Sequence, residues 1–484
     1  MIAAMRRTQA RVRFVMGSAL LCMAACSGPP RADLARIYNR AAMDHGPERN
    51  PIIVIPGILG SRLEAPDGEV VWGAFSGRFT DPETERGERL VALPMREGAP
   101  LRDLRDEVRA TTVLEDLEVS LIGLPLRLDA YRHVLRVLGV GGYRDATLAR
   151  AGNVDYGALH YTCFQFEYDW RRDLVENAKL FAAYLERRRD EVQKEHEQRF
   201  GKAKKPVRFD IVAHSMGGLL VRYFLRYGTD DLAETGELRP TWKGAEWIDR
   251  VVLVGTPNHG SLHALTELVF GVDYSFLTPR YAPAVLGTMP AVYQLLPRAR
   301  HGALRLEGAS ESAPAVDPLD PETWIERSWG LADPREDATL AWLLPDAKTK
   351  EERRRIALDH LKKCLARARR VHEALDVPAQ PPAGTELYLF SGDAMATPAG
   401  ATCRADGSFL KVRSHEPGDG TVLRSSALGD ERVGAAWMAE LASPIHWSGV
   451  HFLFTDHLAM TKDPGFVDNV LYRLLEAPRA KPAR

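Results

Sequence analysis

The sequence predicts an α/β fold with a mostly parallel central sheet and helices on both of its faces. Short, largely apolar runs recur near residues 52–55, 209–212, 250–254 and 386–391. Such runs are typical of strands that are buried on both faces of a parallel sheet. Helical patterns lie between them, and 484 residues with 45% hydrophobic side chains are ample for one large core.

The amino terminus predicts an export signal. A cluster of arginines precedes an apolar segment at residues 14–25, which is too short to span a membrane. The small residues before Cys26 resemble the cleavage site of a bacterial lipoprotein. We therefore expect residues 1–25 to be removed and Cys26 to be lipidated. This predicts a protein anchored at the bacterial outer membrane, and a periplasmic or secreted protein is the alternative.

The rest of the chain predicts a tether followed by one domain. Residues 26–49 are polar and charged, which is typical of a tether, and residues 50–484 carry the α/β pattern. Two long stretches interrupt that pattern, at about 72–130 and 262–380, and we expect them to be insertions that form a cap or lid. The first contains an apolar run at residues 121–126. A buried segment is the favoured interpretation of that run, and an interfacial lid is the alternative.

Charge and cysteine content exclude several functional classes. The net charge of -1 and the pI of about 6.9 give no electrostatic basis for binding nucleic acid. Cys163, Cys364 and Cys403 remain after the signal, which allows one disulfide at most. No spacing of cysteine and histidine suggests a metal ligand set. We therefore expect no metal and no cofactor, and no feature indicates an oligomeric state.

The most informative stretch predicts a nucleophile at Ser215. Residues 209–218 read F-D-I-V-A-H-S-M-G-G, and apolar residues at helical spacing follow. A strand, a sharp turn and a helix form the context of a nucleophile elbow, with the serine at its apex. Ala213 stands where glycine is more usual. A serine at the end of an ordinary strand is the alternative, but it does not explain the small residues on both sides.

An earlier strand predicts the second half of an oxyanion hole. Residues 50–60 read N-P-I-I-V-I-P-G-I-L-G, a strand followed by a loop whose backbone can approach a ligand closely. In an α/β hydrolase, one oxyanion N–H group follows the nucleophile and the other belongs to such a loop. Met216 and Ile58 are the corresponding residues.

The acid and the base are predicted from the late part of the chain. Asp419 lies between two glycines in a tight turn, which suits a carboxylate that orients an imidazole, and Asp393 is its competitor. His457 lies after the last strand and before the closing helix. His446 and His451 come too early for that position, as does His259, which follows the strand at 250–254. The order of Ser215, Asp419 and His457 is that of an α/β hydrolase.

A further segment predicts weak candidates for substrate binding. Residues 161–171 are rich in aromatic side chains and predict a strand. Asp169 and Trp170 end it at the carboxyl edge of the sheet, where ligands gather in α/β proteins. An ion pair between Asp169 and an arginine is an equally supported alternative.

With these motifs the chain resembles the family of lecithin:cholesterol acyltransferase, which also contains lysosomal phospholipase A2 and the phospholipid:diacylglycerol acyltransferases. The shared motifs are I-V-I-P-G-I-L-G-S-R-L-E, F-E-Y-D-W-R, A-H-S-M-G-G, G-T-P-N-H-G-S, G-D-G-T-V and the segment around His457. They occur in the family's order across most of the chain after residue 50. The disulfide-closed lid of animal members is not matched, because residues 72–130 contain no cysteine.

The resemblance implies a serine-dependent acyl hydrolase or O-acyltransferase that acts on lipid esters. It implies the triad of Ser215, Asp419 and His457, with Ile58 and Met216 as oxyanion donors. The implied partners are a lipid ester and a membrane surface or lipid interface. A plain secreted lipase or esterase is one alternative. A non-catalytic lipoprotein that binds lipid on a hydrolase fold is the other.

Overall fold

A computed structural model describes residues 34–73, 80–114, 116–121, 124–129, 131–201, 206–272, 280–310, 313–408 and 410–479. The predicted signal peptide and Cys26 lie outside the described residues. Within those ranges, no helix combines the length and apolar character needed to cross a membrane.

The strands of the described residues divide among four sheets. In chain order they are β1 (Ile52–Ile55), β2 (Ser61–Glu64), β3 (Val70–Trp72), β4 (Arg109–Val113), β5 (Asp116–Leu121), β6 (Leu124–Asp129), β7 (Cys163–Gln165), β8 (Phe209–His214), β9 (Ile248–Val254), β10 (Leu304–Leu306), β11 (Glu386–Gly392), β12 (Met395–Cys403), β13 (Leu410–Gly418) and β14 (Gly449–Leu453).

The helices connect and cover these strands. The α-helices are Leu34–Ile37, Asn39–Met43, Glu85–Val91, Arg132–Val140, Ala146–Arg150, Leu174–Phe200, Met216–Tyr227, Leu262–Phe270, Pro283–Leu286, Pro290–Tyr293, Pro321–Arg327, Asp337–Leu343, Lys350–Asp376, Arg424–Leu428 and Pro464–Leu471. Short 3-10 helices occur at Leu101–Asp103, Lys243–Trp247, Ala299–His301, Gly330–Ala332, Pro334–Glu336 and Met460–Lys462, and a π-helix at Tyr472–Glu476.

The central sheet has six strands in the order β14-β11-β9-β8-β1-β7. Every pairing within it is parallel. The fold class predicted from the sequence, an α/β-hydrolase fold, is therefore confirmed. Sequential strands fall on both sides of β8, so the crossover helices cover both faces of the sheet.

Alternation along the central strands divides the core into two clusters, one for each face of the sheet. Ile53 and Ile55 of β1 belong to the larger cluster, whereas Ile52 and Val54 belong to the smaller one. Because successive side chains of a strand point to opposite faces, this division is expected for a sheet covered on both sides. All six residues of β8 are buried. The carboxyl end of β8 is thereby held at the centre of the domain.

Two helices from distant parts of the chain pack together on one face. All residues of the helix Met216–Tyr227 are buried, including two arginines. Arg222 donates a 2.7 Å hydrogen bond to the carbonyl of Leu375, and Arg226 donates a 2.6 Å bond to that of Val377. These carbonyls lie at the end of the helix Lys350–Asp376, where backbone acceptors lack partners within the helix. The helix Met216–Tyr227, which we call the elbow helix, and the second insertion are therefore joined by buried polar contacts.

The insertions contain more regular structure than the sequence indicates. In the first, β4 joins β2 and β3 in an antiparallel sheet, and the apolar run near residue 121 falls in the hairpin of β5 and β6. In the second, β10 pairs with β12, so the insertion contributes to a third sheet of β10, β12 and β13. The aromatic segment at 161–171 contributes only the three residues of β7 to the central sheet.

The described part of the predicted tether packs against the domain. Tyr38 is buried in the smaller core cluster. The Arg49 guanidinium donates to the carbonyls of Ala41 and Gly141, which joins the segment to the helix Arg132–Val140. Residues 34–49 therefore differ from the free tether that their polar composition indicates, because one aromatic and one arginine side chain anchor them.

Candidate active site

Ser215 lies at the sharp turn between β8 and the helix Met216–Tyr227. Its backbone adopts φ 52° and ψ −126°, a conformation that side chains rarely tolerate. Close packing enforces the turn. A β-carbon on Gly217 would lie 2.3 Å from the carbonyl oxygen of Pro56, and one on Gly218 would lie 2.0 Å from Thr256 Oγ1. The two glycines after the serine are therefore required by the neighbouring loops.

The structure brings Ser215, His457 and Asp419 together. His457 Nε2 lies 3.0 Å from Ser215 Oγ, and His457 Nδ1 lies 2.8 Å from Asp419 Oδ2. These contacts join residues that are 242 and 38 positions apart in the chain. All three residues are buried. The distances are those of a nucleophile, a base and an orienting carboxylate.

Asp419 is held as an ionised acceptor. Its Oδ1 accepts hydrogen bonds from the N–H groups of Thr421, at 2.9 Å, and Val422, at 2.6 Å. Burial raises the pKa of Asp419, but the interaction with His457 and the two N–H groups outweighs burial and lowers that pKa below its ordinary value. The backbone N–H of His457 also donates to the Asp419 carbonyl, at 2.9 Å. Asp419 therefore fixes both the ring and the backbone of His457.

The competing residues lie in other environments. His451 is part of β14 and stacks on Phe390, with ring centroids 4.7 Å apart. His446 is exposed in the loop before that strand. The backbone N–H of Asp393 donates to the carbonyl of Leu453. None of the three has a hydrogen bond to Ser215 or His457 among those found in the described residues.

The loop after β1 packs directly against the serine. A β-carbon on Gly57 would lie 2.7 Å from the β-carbon of Ser215, so the glycine permits a close approach of the two backbones. Residues 57–60 form a turn closed by the N–H of Gly60 and the carbonyl of Gly57. Ile58, the predicted oxyanion donor, is within this turn, and Met216 begins the helix on the other side of Ser215.

Strain and an aromatic anchor define the same turn. Leu59 has φ 64°, a value that a leucine adopts only where the surrounding structure enforces it. The Trp72 indole N–H donates a 2.7 Å hydrogen bond to the Leu59 carbonyl. The loop is thus held in one conformation before any substrate arrives, which is what an electrostatic stabiliser requires.

Asp169 and Trp170, the weak candidates for substrate binding, are bonded to other parts of the protein. Asp169 pairs with Arg171 through contacts of 2.9 and 2.8 Å, and Arg171 also reaches Asp106. The Trp170 indole N–H donates to the carbonyl of Ser61. Of the two interpretations drawn from the sequence, this geometry matches the ion pair with arginine. We therefore give neither residue a role in the chemistry.

One buried network at the site is absent from the predictions made from the sequence. The Tyr131 hydroxyl lies 3.0 Å from His214 Nδ1, and His214 Nε2 lies 3.1 Å from the carbonyl oxygen of His457. The backbone N–H of Gly57 donates to the same hydroxyl, at 2.7 Å. A histidine at the end of a largely apolar strand was the available signal, because a buried polar side chain requires partners.

A second cluster of histidines lies after β9. His259 Nε2 is 3.3 Å from Glu431, and His301 Nε2 is 3.4 Å from the same carboxylate. The Arg300 guanidinium also pairs with Glu431, at 2.5 Å, and with Asp376. This cation already compensates the carboxylate, so a metal ion at this place would meet a positive charge. We assign the cluster to the ion-pair network that surrounds Asp376.

Exposed apolar side chains flank the base. Phe454 is 85% exposed and Leu458 is 70% exposed, although His457 between them is buried. Met395, which is 43% exposed, pairs across β12 and β13 with Gly418, the neighbour of Asp419. We call these three residues the apolar rim. Its side chains are exposed, and its residues neighbour His457 in the chain or Asp419 across a strand pair.

Comparison with known proteins gives a family for part of the chain. The family model described as lecithin:cholesterol acyltransferase matches residues 154–312. The predicted resemblance is confirmed. The matched span includes Ser215, the elbow helix and the G-T-P-N-H-G-S motif of the lecithin:cholesterol acyltransferase family. It supports an enzyme of the lipid acyl hydrolase or acyltransferase class. A search of curated proteins found no match to the chain.

One solved structure shares the fold at low sequence identity, and others align over most of the chain with lower TM-scores. A crystal structure of a Tle4–Tli4 complex aligns with a TM-score of 0.53 at 14% identity, covering 89% of this chain and 98% of that one. EstA from Clostridium botulinum aligns at 14% identity and a TM-score of 0.33, covering 90% and 89%. The mature lipase BlEst2 from Bacillus licheniformis aligns at 14% identity and a TM-score of 0.29, covering 90% and 94%.

Proposed function

We propose that this protein is a serine-dependent lipid acyl hydrolase or O-acyltransferase that forms an acyl-Ser215 intermediate. The observation that carries the proposal is the continuous hydrogen-bonded chain from Ser215 Oγ through His457 to Asp419, with contacts of 3.0 and 2.8 Å. It lies beside the strained loop that contains Ile58, the oxyanion donor that we propose. The family match supports a lipid ester as substrate.

The first half of the reaction acylates the enzyme. His457 Nε2 accepts the hydroxyl proton as Ser215 Oγ attacks the ester carbonyl of the lipid. The carbonyl oxygen becomes an oxyanion, which the N–H groups of Ile58 and Met216 stabilise, each such donor typically by about 3 kcal/mol. The tetrahedral intermediate collapses, His457 returns its proton to the departing alcohol, and the acyl group remains on Ser215.

The second half releases the acyl group. An acceptor hydroxyl, from water or from an alcohol, gives its proton to His457 and attacks the acyl carbon. Collapse of the second intermediate returns the proton to Ser215. Asp419 accepts the Nδ1–H throughout, which keeps Nε2 free to accept protons and stabilises the imidazolium. The same machinery serves hydrolysis and transfer, and the exclusion of water decides between them.

The apolar rim supports a lipid interface as the place of action. Phe454 is separated from His457 by two residues and Leu458 by none, and both side chains are largely exposed. Insertion of such side chains into a lipid surface is favourable by about 1.5–3 kcal/mol for each fully buried residue. With the export signal predicted at residues 1–25, we propose an envelope protein that works on a membrane surface, anchored through Cys26.

The central experiment combines product analysis with a matched serine variant. Purified protein is incubated with vesicles of acyl-labelled phosphatidylcholine, with and without a long-chain alcohol, and the products are separated by thin-layer chromatography. Free fatty acid alone indicates hydrolysis, and a new acyl ester indicates transfer. Ser215→Ala is expected to abolish both products. Ser408→Ala, in the exposed turn where Ser408 bonds Asp406, is expected to retain them.

A fluorophosphonate probe separates the catalytic proposal from the non-catalytic alternative. We expect the wild-type protein and Ser408→Ala to be labelled and Ser215→Ala to remain unlabelled, because only an activated serine reacts. Failure to label the wild-type protein, together with the absence of any acyl product, would support a lipid-binding role on a hydrolase fold.

A further inference from the structure

A buried hydrogen-bond network connects the three loops of the proposed site. It begins at the backbone N–H of Gly57, passes through the Tyr131 hydroxyl and the His214 ring, and ends at the carbonyl of His457. Neither Tyr131 nor His214 contacts the reacting atoms in the proposed mechanism. The network nevertheless joins three parts of the proposed site. These are Gly57 in the oxyanion loop, His214 directly before the nucleophile, and the backbone of His457.

The protons in this network have one consistent arrangement. The Tyr131 oxygen accepts the Gly57 N–H, so its own proton is available to His214 Nδ1, at 3.0 Å. His214 Nε2 must then carry the ring proton, which it donates to the His457 carbonyl at 3.1 Å. Each donor has an acceptor, and His214 is neutral. Burial is the main cause that lowers the pKa of His214, to about 3, and this keeps the ring neutral near pH 7.

The ring of His214 also packs on the ring of the base. The centroids of His214 and His457 are 4.8 Å apart, and those of Tyr131 and His214 are 5.7 Å apart. The Tyr131 ring meets the His214 ring edge-on, and the His214 ring is tilted against that of His457, so the three rings are in contact one after another. The His457 backbone is held from two sides, by Asp419 through its N–H and by His214 through its carbonyl.

We propose that Tyr131 and His214 are positioning residues, which fix the oxyanion loop relative to the base through this single network. The inference rests on the proposed function, because it names residues that orient the groups of that reaction. Loss of the Tyr131 hydroxyl leaves the Gly57 N–H and His214 Nδ1 without partners in a buried place. Both loops then relax by small displacements, and displacements near 1 Å can cost roughly 100-fold in rate.

Tyr131→Phe tests the proposal with Tyr184→Phe as a matched control. The Tyr184 hydroxyl is also buried and donates to a backbone carbonyl, that of Gln165, at 2.7 Å in the central sheet. We expect Tyr131→Phe to lower kcat on a soluble p-nitrophenyl ester by roughly 10- to 100-fold with little change in KM. We expect Tyr184→Phe to lose similar stability in urea but to keep the wild-type kcat.

Two further measurements make the test independent of stability. If both residues act through one network, Tyr131→Phe combined with His214→Gln loses no more activity than the worse single variant. The imidazole ¹⁵N shifts of wild-type protein, assigned by comparison with His214→Gln, are expected to show His214 protonated at Nε2 and not at Nδ1. This second measurement requires folded protein and does not depend on turnover.

The outcomes distinguish this inference from the proposed function. Equal kcat values for Tyr131→Phe and Tyr184→Phe in an active enzyme would overturn the positioning role and leave the triad untouched. A His214 ring protonated at Nδ1 would overturn the proton arrangement even if the enzyme is active. An inactive, unlabelled wild-type protein would overturn the proposed function, and the ¹⁵N measurement would still decide whether the network exists.

Discussion

The floor of the proposed site and the apolar rim beside it are built in opposite ways, although they share one loop. The floor comprises Gly57, Ser215, Asp419 and His457. These residues are buried, and glycines, strained backbone and hydrogen bonds set their positions. The rim consists of large side chains that face solvent, with Phe454 85% exposed and Leu458 70% exposed. His457 belongs to the floor although Leu458 follows it directly. Acyl transfer requires fixed distances, whereas attachment to a lipid surface requires only exposed apolar area.

The largest expected effect falls on the floor. Asp419→Asn is expected to lower kcat by roughly 10,000-fold, because an amide at this position favours the wrong tautomer of the imidazole. Turnover of a soluble p-nitrophenyl ester measures the loss. Asp393→Asn is the matched control, since Asp393 is the competing carboxylate from the sequence, and it is expected to keep its activity. A large loss in Asp393→Asn, together with an active Asp419→Asn, would show that Asp393 orients the imidazole and that Asp419 does not.

The second prediction concerns stability at acid pH, which buried neutral histidines in the floor and elsewhere should limit. The folded-state pKa of His214 is lowered to about 3 and that of His360 to about 4, from 6.5, mainly by burial. The unfolded chain therefore binds more protons between pH 6.5 and those values. Stability is then fully present above pH 6.5 and falls as the pH decreases, by up to about 1.4 kcal/mol per pH unit for each histidine.

Urea unfolding at a series of pH values measures this slope directly. The free energy of unfolding is expected to decrease as the pH falls below 6.5, the unfolded-state value for these groups. His360→Gln, which removes one neutral buried histidine away from the site, should reduce the slope. A free energy of unfolding that is independent of pH in this window would show that these rings are protonated in the folded state or exposed.

The smallest predicted effect lies on the rim and should depend on the substrate. Phe454→Ser combined with Leu458→Ser is expected to lower activity on phospholipid vesicles by about tenfold, since each lost side chain removes apolar area from the interface. Activity on a soluble ester should stay at the wild-type level. Leu159→Ser is the control, because Leu159 is 83% exposed but precedes β7, at the opposite edge of the sheet.

Equal losses on vesicles and on the soluble ester would contradict the division between rim and floor. Such a result would mean that Phe454 and Leu458 support the position of His457 rather than contact with lipid. A loss in Leu159→Ser as large as that of the rim variant would instead indicate a general effect of exposed apolar residues.

Much of the floor was predictable because its signals are local in the chain. Ser215 follows an apolar strand and precedes two glycines, Asp419 lies between glycines, and His457 lies between the last strand and the closing helix. Each pattern extends over a few residues, so each position could be predicted without knowledge of the others. The order of the three residues along the chain then indicated that they act as nucleophile, acid and base.

The network behind the floor was not predictable for the opposite reason. Tyr131 contacts Gly57 and His214 across 74 and 83 residues, and His214 contacts His457 across 243. Tyr131 follows an insertion without a strong local pattern, and its role depends on how that insertion returns to the sheet. The pairing of β10 with β12 is likewise a contact between segments almost one hundred residues apart, with no local signal in either strand.

The arginines at the buried end of the helix Lys350–Asp376 have a consequence for how substrate enters. Arg222 and Arg226 donate to its final carbonyls, and Arg298 pairs with Asp376 at 2.9 Å. An outward movement of this helix would leave buried guanidinium groups without these partners, at a cost of several kcal/mol. We therefore expect the helix Lys350–Asp376 to stay in place on the timescale of turnover. Any motion that admits a long acyl chain is therefore expected in segments outside this helix.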